Sequence, residues 1–536
     1  MVSLALSATL ASQPTLQAAT ALRPKLVVVI SIDQFRGDYT TRFADHYLPA
    51  QSGKTVGGFN YLTQKGAYYP DAHYNHIPTE TGPGHAIVLT GSVPGLTGII
   101  GNDWFDRKTS KSMYCVSDPS VTTVGGNSGP MSPKNLLVTT LGDELKMATN
   151  GKAKVVGISF KDRAAILMAG HAADQVLWFD NGTANWVTSS FYNSKLPAWA
   201  SDLNSKQRPK GELNQVWTPL LPESAYAWTR KSPAQKDSKE PVFSHALTNI
   251  GLWTTSPQGQ KYVFDTAKIA IGQEGLGLDS VPDVLAINLA TNDYVGHVYG
   301  PNSPQVLDIS VHTDRMLSDF FNFLDQRVGL KNTVIAVTAD HGVVPIVEEM
   351  GDPFKINATR IKANDCKDAA EAALDAQIGP ADWIQAMDIP NVFINQATVA
   401  AQKVDPATAE GIAARAILGV PGIYATATRT QLLSGAVPRT PWGQRLINGF
   451  HPSLSGDVFV LNAPGTYFGA GTGTGHGSAW EYDTHVPILM SGFGIQSGVY
   501  SNKVSVSDIA PTLSRILRIS APNGSVGSIL PGALKQ

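Results

Sequence analysis

Four short runs of apolar, largely β-branched residues most constrain the fold of this 536-residue chain: Leu26–Ile32, Val155–Phe160, Val284–Leu289 and Thr333–Thr338. Runs of this length and composition form strands of parallel sheet buried on both faces. Weaker runs lie at Val458–Leu461 and Val486–Met490. Helical patterns fall between them, at Asp143–Ala148 and in the amphipathic stretch Val306–Phe323. Near the end, Ser507-Asp508-Ile509-Ala510-Pro511 opens a helix with Ser or Asp as its cap and Ile509, Leu513, Ile516 and Leu517 facing inward. Strands alternating with helices predict an α/β fold on an open, mostly parallel sheet.

Two stretches interrupt that rhythm. Residues 172–280 carry six of the ten tryptophans (Trp178, Trp186, Trp199, Trp217, Trp228, Trp253) and read as an insertion covering one sheet edge. Residues 345–455 hold helical segments at Cys366–Ala376 and Ala407–Leu418 and read as a small α+β cap. Forty-one Lys and Arg against 43 Asp and Glu leave a net charge of -2. That lacks the basic surplus needed for phosphate-backbone binding, so nucleic-acid binding as a main role is excluded. Two cysteines, Cys115 and Cys366, exclude a disulfide scaffold and a thiolate zinc cluster, and their pairing stays open. Outside the N-terminus no uncharged apolar run reaches the ~18 residues of a membrane span. Met1–Leu22 has no charged residue and offers small residues around Ala18-Ala19 before Arg23. Residues 1–24 therefore read as an export signal, although no Lys or Arg precedes Arg23, and predict a periplasmic or secreted protein. A disordered terminus is the other reading.

Ligands in open α/β sheets gather at the carboxyl ends of strands. There the sequence places Asp33 after the first run, Asn292-Asp293-Tyr294-Val295-Gly296-His297 after the third, and Asp340-His341-Gly342 after the fourth. Any one of these has a structural reading as a cap, a loop acid or a turn. Three strands each ending in a carboxylate, two with a histidine nearby, point instead to divalent metal of the zinc type. A pair of ions about 4 Å apart suits phosphoryl transfer. The segment Ile77 to Val88 reads as a loop running into a helix, with Thr81 at the positive helix end, either a cap or a nucleophile. Lys161 and Arg163 follow the second run and can reach one anion, or lie in a solvated turn.

The segments "ISIDQFRGDY", "PTETGPGHAIVLTG", "TGIIGNDWFD", "ATNDYVGH", "TADHG" and "GTGHGS" together resemble the alkaline phosphatase superfamily, within it the type I phosphodiesterase/nucleotide pyrophosphatase group. The Lys161/Arg163 pair and the threonine resemble the phosphate-irrepressible, PafA/PhoK-type alkaline phosphatases. The resemblance implies a three-layer α/β sandwich and a metal-dependent phosphate monoester hydrolase working through a phosphothreonine at a two-zinc site. One zinc would be held by Asp293, His297 and His476, the other by Asp33, Asp340, His341 and the Thr81 oxygen. His485 is a rival to His476 for the last ligand. Asn102, Lys161 and Arg163 would bind phosphoryl oxygens beside the Gly82 amide. The resemblance further implies small-molecule monoester substrates, a monomer, and room for structural Ca2+ or Mg2+. The remaining histidines (His46, His73, His76, His85, His171, His245, His312, His451) read as core or surface residues. A nucleotide phosphodiesterase on the same scaffold is the first alternative, and a non-catalytic metal- or phosphate-binding protein the second. Sulfatases need Cys or Ser at the nucleophile position and phosphoglycerate mutases use serine there, which Thr81 does not match.

Overall fold

A computed structural model describes residues 23–230, 244–351, 358–469 and 471–535. Residues 1–22, most of the expected export signal, lie outside the described residues. The central sheet is built on β1 (Leu26–Ile32), β2 (Ala67–His73), β3 (Val155–Ile158), β4 (Gln175–Asp180), β5 (Asn185–Ser189), β6 (Asp283–Leu289), β7 (Thr333–Thr338) and β8 (His485–Gly492). Its spatial order is β2-β8-β7-β1-β6-β3-β4-β5, extended at the ends by the short strands Gly498–Val499 and Thr123–Val124. From β7 through β1, β6 and β3 to β4 every pairing is parallel, whereas β8 runs antiparallel to both β7 and β2. Each residue of β1, β6 and β7 is buried, as expected of β-branched strands covered on both faces.

The helices α1 (Thr81–Thr90), α2 (Asp162–Ala169), α3 (Pro257–Glu274), α4 (Thr291–Tyr299) and α5 (Pro304–Arg327) form the flanking layers. α1 packs on α2, while α3, α4 and α5 pack on one another. The expected helix at Val306–Phe323 is longer than its pattern, because Ser303 caps it with Pro304 in the first turn and its amphipathic stripe continues to Arg327.

Three expectations about the layout change. Residues 175–189 extend the central sheet as β4 and β5 instead of covering its edge. Trp186 and Trp253 are buried there in one aromatic cluster with Phe160, Phe179 and Tyr262. The run at Val458–Leu461 forms strand Val458–Asn462 of a separate four-stranded sheet, with Ile384–Asp388, Asn391–Ile394 and Ile423–Thr428. That sheet carries helices Ala363–Gln377 and Pro406–Leu418 over a core of its own, so the cap reaches past residue 455. The closing helix starts at Ile509 after a short 3-10 turn whose capping box is made by Ser505 with Asp508.

Candidate active site

Strand register gathers the carboxylates. Ile32 pairs with Leu289 and Ser31 with Thr338, so Asp33, Asp340 and the first turn of α4 emerge at the same sheet end. Asp33, Asp340 and His341 are fully buried and Asp293 nearly so. His341 Nε2 lies 3.1 Å from Asp340 Oδ2 and 3.6 Å from Asp33 Oδ1. His297 Nε2 lies 3.0 Å from Asp293 Oδ1, and His476 Nε2 stands 3.8 Å from the same oxygen. Ligand atoms of Asp293, His297 and His476 fall within 4.8 Å of one another, as do those of Asp33, Asp293 and His341.

The three histidines are oriented alike. Nδ1 of His297 faces the Thr474 carbonyl at 2.7 Å, that of His476 the Thr79 carbonyl at 2.7 Å, and that of His341 the Gly342 carbonyl at 2.9 Å. A carbonyl only accepts, so Nδ1 carries the proton and Nε2 is left as the ligand atom. Asp33 Oδ1, Asp340 Oδ2 and His341 Nε2 are buried without a hydrogen-bond partner among the described residues. Polar atoms brought together in a dry site without hydrogen-bond partners are costly unless a proton or a divalent cation lies between them. The mixed carboxylate and imidazole donors fit zinc. Burial and the neighbouring Asp340 push the Asp33 carboxyl upward. Burial opposes ionisation of Asp293 too, but His297 and Lys161 overcome it and hold that carboxyl well below the usual range.

Thr81 is the first residue of α1, and Glu80, not Thr81, holds the N-cap position. The Thr81 hydroxyl meets Lys161 Nζ at 3.3 Å and Arg163 Nη2 at 3.4 Å. Lys161 also donates to Asp293 Oδ2 at 2.6 Å and pairs with Asp33 Oδ2 at 2.8 Å. Arg163 is held by the Tyr114 hydroxyl, which itself donates to Asp162. The Gly82 amide donates to Asn102 Oδ1 at 2.7 Å, so these two expected oxyanion contacts meet each other. Gly84 lets α1 ride on the Asp340 turn, since a Cβ there would stand 2.3 Å from the Asp340 carbonyl oxygen. Thr81, Asn102, Arg163, Asp293, His297 and His476 all line a cavity of about 310 Å³, whose far wall comes from the cap.

His485 stands apart from this cluster, with Nε2 on the Pro70 carbonyl and its ring stacked on His73. Cys115 and Cys366 are both buried and free.

Sequence reasoning missed a supporting layer. Gln34 donates to Asp293 from its side chain and to Asp340 from its backbone. Glu80 Oε2 accepts from the Asn102 amide at 2.8 Å. His85, expected among the core or surface histidines, is buried directly behind the ligands, its Nδ1 2.9 Å from the Thr81 carbonyl and its Nε2 2.8 Å from Asn288 Nδ2. With both ring nitrogens engaged, it buttresses Thr81.

Residues 27–475 match the model of the family described as type I phosphodiesterase / nucleotide pyrophosphatase. The chain belongs to that family. Within the type I phosphodiesterase family it is 36% identical over 539 residues to alkaline phosphatase PhoV of Synechococcus elongatus, with 98% of this chain and 95% of the relative covered. It is 36% identical to alkaline phosphatase PafA of Elizabethkingia meningoseptica, covering 94% of this chain and 93% of the relative. A crystal structure of wild-type PafA superposes with a TM-score of 0.88 at 35% identity, covering 96% of this chain and 99% of that one. A third relative, from Myroides odoratus, is named a calcium-transporting ATPase and is 34% identical, with 96% of this chain and 95% of the relative covered.

Proposed function

We propose that this chain is a metal-dependent alkaline phosphatase that hydrolyses small phosphate monoesters through a phosphothreonine at Thr81. One observation carries the reading: the Thr81 hydroxyl lies within 3.4 Å of two cations, Lys161 and Arg163, at the edge of a buried carboxylate and histidine cluster. Asp293, His297 and His476 would hold one zinc, and Asp33, Asp340, His341 and the Thr81 oxygen the other. When bound, the zinc ions supply Lewis acidity that activates the nucleophile and stabilises the departing oxygen. Thr81 Oγ gives its proton to solvent and attacks phosphorus in line, forming the Oγ–P bond as the bond to the leaving oxygen breaks, and that oxygen takes up a proton from solvent. Lys161, Arg163 and Asn102 hold the non-bridging oxygens, with Asn102 itself steadied by Glu80 and Gly82. Water then breaks the bond from phosphorus to Thr81 Oγ, which releases inorganic phosphate and restores the hydroxyl.

The monoester preference rests on charge. A monoester carries one more negative charge than a diester, and a cation ~4 Å away favours that extra charge by up to about 4 kcal/mol. Two relatives named alkaline phosphatases support this reading over a nucleotide phosphodiesterase. No helix among the described residues is long and apolar enough to cross a membrane. The test compares phenyl phosphate with a bis-aryl phosphate. Monoester turnover should dominate, and Lys161→Ala with Arg163→Ala should depress it far more than diester turnover. Equal losses would favour the diesterase. Export guided by residues 1–24 belongs to this proposal, and cell fractionation with N-terminal sequencing checks it.

A further inference from the structure

The cavity beside Thr81 has two chemically different walls. The α/β core supplies Thr81, Asn102, Arg163 and the histidines, all polar. The cap supplies Ile389 and Pro390, from the turn between two of its strands, together with Val460, Tyr467 and Phe468. This second wall is mainly aliphatic and aromatic, with Asn462 and Thr466 as its polar members, and backbone and ring contacts hold Tyr467 in place. The Tyr467 amide donates to the Thr359 carbonyl at 3.1 Å, and the Arg360 guanidinium lies 5.8 Å from the Tyr467 ring centre. The ring also packs on Gly475, where a Cβ would lie 2.5 Å from its edge, immediately before His476. A side chain at 475 would push the ring away, so the backbone beside His476 is shaped to receive it.

We propose that this cap wall is the leaving-group subsite and selects phosphate monoesters of planar, mainly apolar alcohols, phenols above all. The inference rests on the phosphatase reading and deepens it. An in-line displacement sends the leaving oxygen away from the attacking Thr81 oxygen. Asn102 and Arg163 hold the non-bridging oxygens, so the organic group extends toward the remaining lining of the cavity, which the cap provides. A planar ring fits against Tyr467, Phe468 and Pro390 with an edge or face contact, whereas a polyol would lose hydration there and meet only Asn462, whose Nδ2 already donates to the Thr466 carbonyl, and Thr466. At about 310 Å³ the cavity sits at the small end of ligand pockets, which favours a single ring over a polymer end.

The experiment measures kcat/KM for phenyl phosphate and methyl phosphate in the wild-type protein and in Tyr467→Ala, Tyr467→Phe and Phe468→Ala. Intrinsic reactivity cancels when the phenyl-to-methyl ratio is compared between proteins. Methyl phosphate turnover in the same preparation reports that each variant is folded and active. The ratio should fall about tenfold in Tyr467→Ala, fall in Phe468→Ala, and return in Tyr467→Phe. An unchanged ratio in both alanine variants overturns the subsite. A wild-type protein that turns over neither monoester defeats the phosphatase reading itself, a separate and distinguishable result.

Discussion

Lys161 Nζ donates to Asp293 Oδ2 at 2.6 Å, inside a site where both groups are almost fully buried. The same ammonium pairs with Asp33, so one lysine balances two carboxylates. Removing one partner of a buried pair leaves uncompensated charge and typically costs about 3–5 kcal/mol. Lys161→Ala should therefore lower the thermal midpoint sharply in chelator-treated protein and much less with zinc present. Parallel melts with and without metal check this. An equal drop in both conditions would show that the lysine stabilises by packing alone.

Thr81→Ala should reduce monoester turnover by at least about 10³-fold while zinc content stays unchanged. Thr81→Ser keeps a hydroxyl at the same helix position and should retain part of the rate. Steady-state assays beside elemental analysis read both quantities.

Metal affinity should fall as the solution is acidified. Burial opposes charge on His341, but Asp340 overrides it and pushes the imidazolium up to about 9, while burial and Asp340 raise the Asp33 carboxyl. Both groups hold protons at neutral pH in the metal-free site, and ligation must displace them. Below the His341 value, affinity for zinc should therefore rise with pH, with a slope between one and two protons. Competition titrations with a chromophoric chelator between about pH 6 and 9 measure it. A flat profile would mean that these groups are already deprotonated.

Two glycines should respond oppositely to alanine. At Gly84 the added Cβ meets the Asp340 carbonyl at 2.3 Å, a backbone atom that cannot swing aside. Gly84→Ala should cost about 1–3 kcal/mol and reduce activity by displacing α1 from the Asp340 turn. At Gly272, inside α3, a Cβ meets nothing within 4 Å. Gly272→Ala should stabilise by about 0.5–1 kcal/mol. Denaturant midpoints of the two variants give the comparison.

Asp33, Asp293 and Asp340 could be picked out in the sequence because each follows an apolar strand, and parallel strands deliver such positions to one sheet end. Glu80, Gln34, His85 and Asn288 could not. Apart from the contact of His85 with Thr81 four residues before it, their partners lie 22 to 306 residues away, and nothing in local pattern marks such approaches. The strand Val458–Asn462 was visible as a strand, but an apolar run does not say which sheet it joins. The strands at 175–189 were hidden because their tryptophans and polar residues read as a surface insertion, while Trp178 and Trp186 in fact fill the core.

Elemental analysis of the purified protein, run beside a phosphate monoester assay, tests the bimetallic threonine site most directly. The account predicts two zinc ions per chain, turnover lost on chelation and turnover restored by adding zinc. Full turnover by protein carrying far less than one metal ion per chain would contradict it.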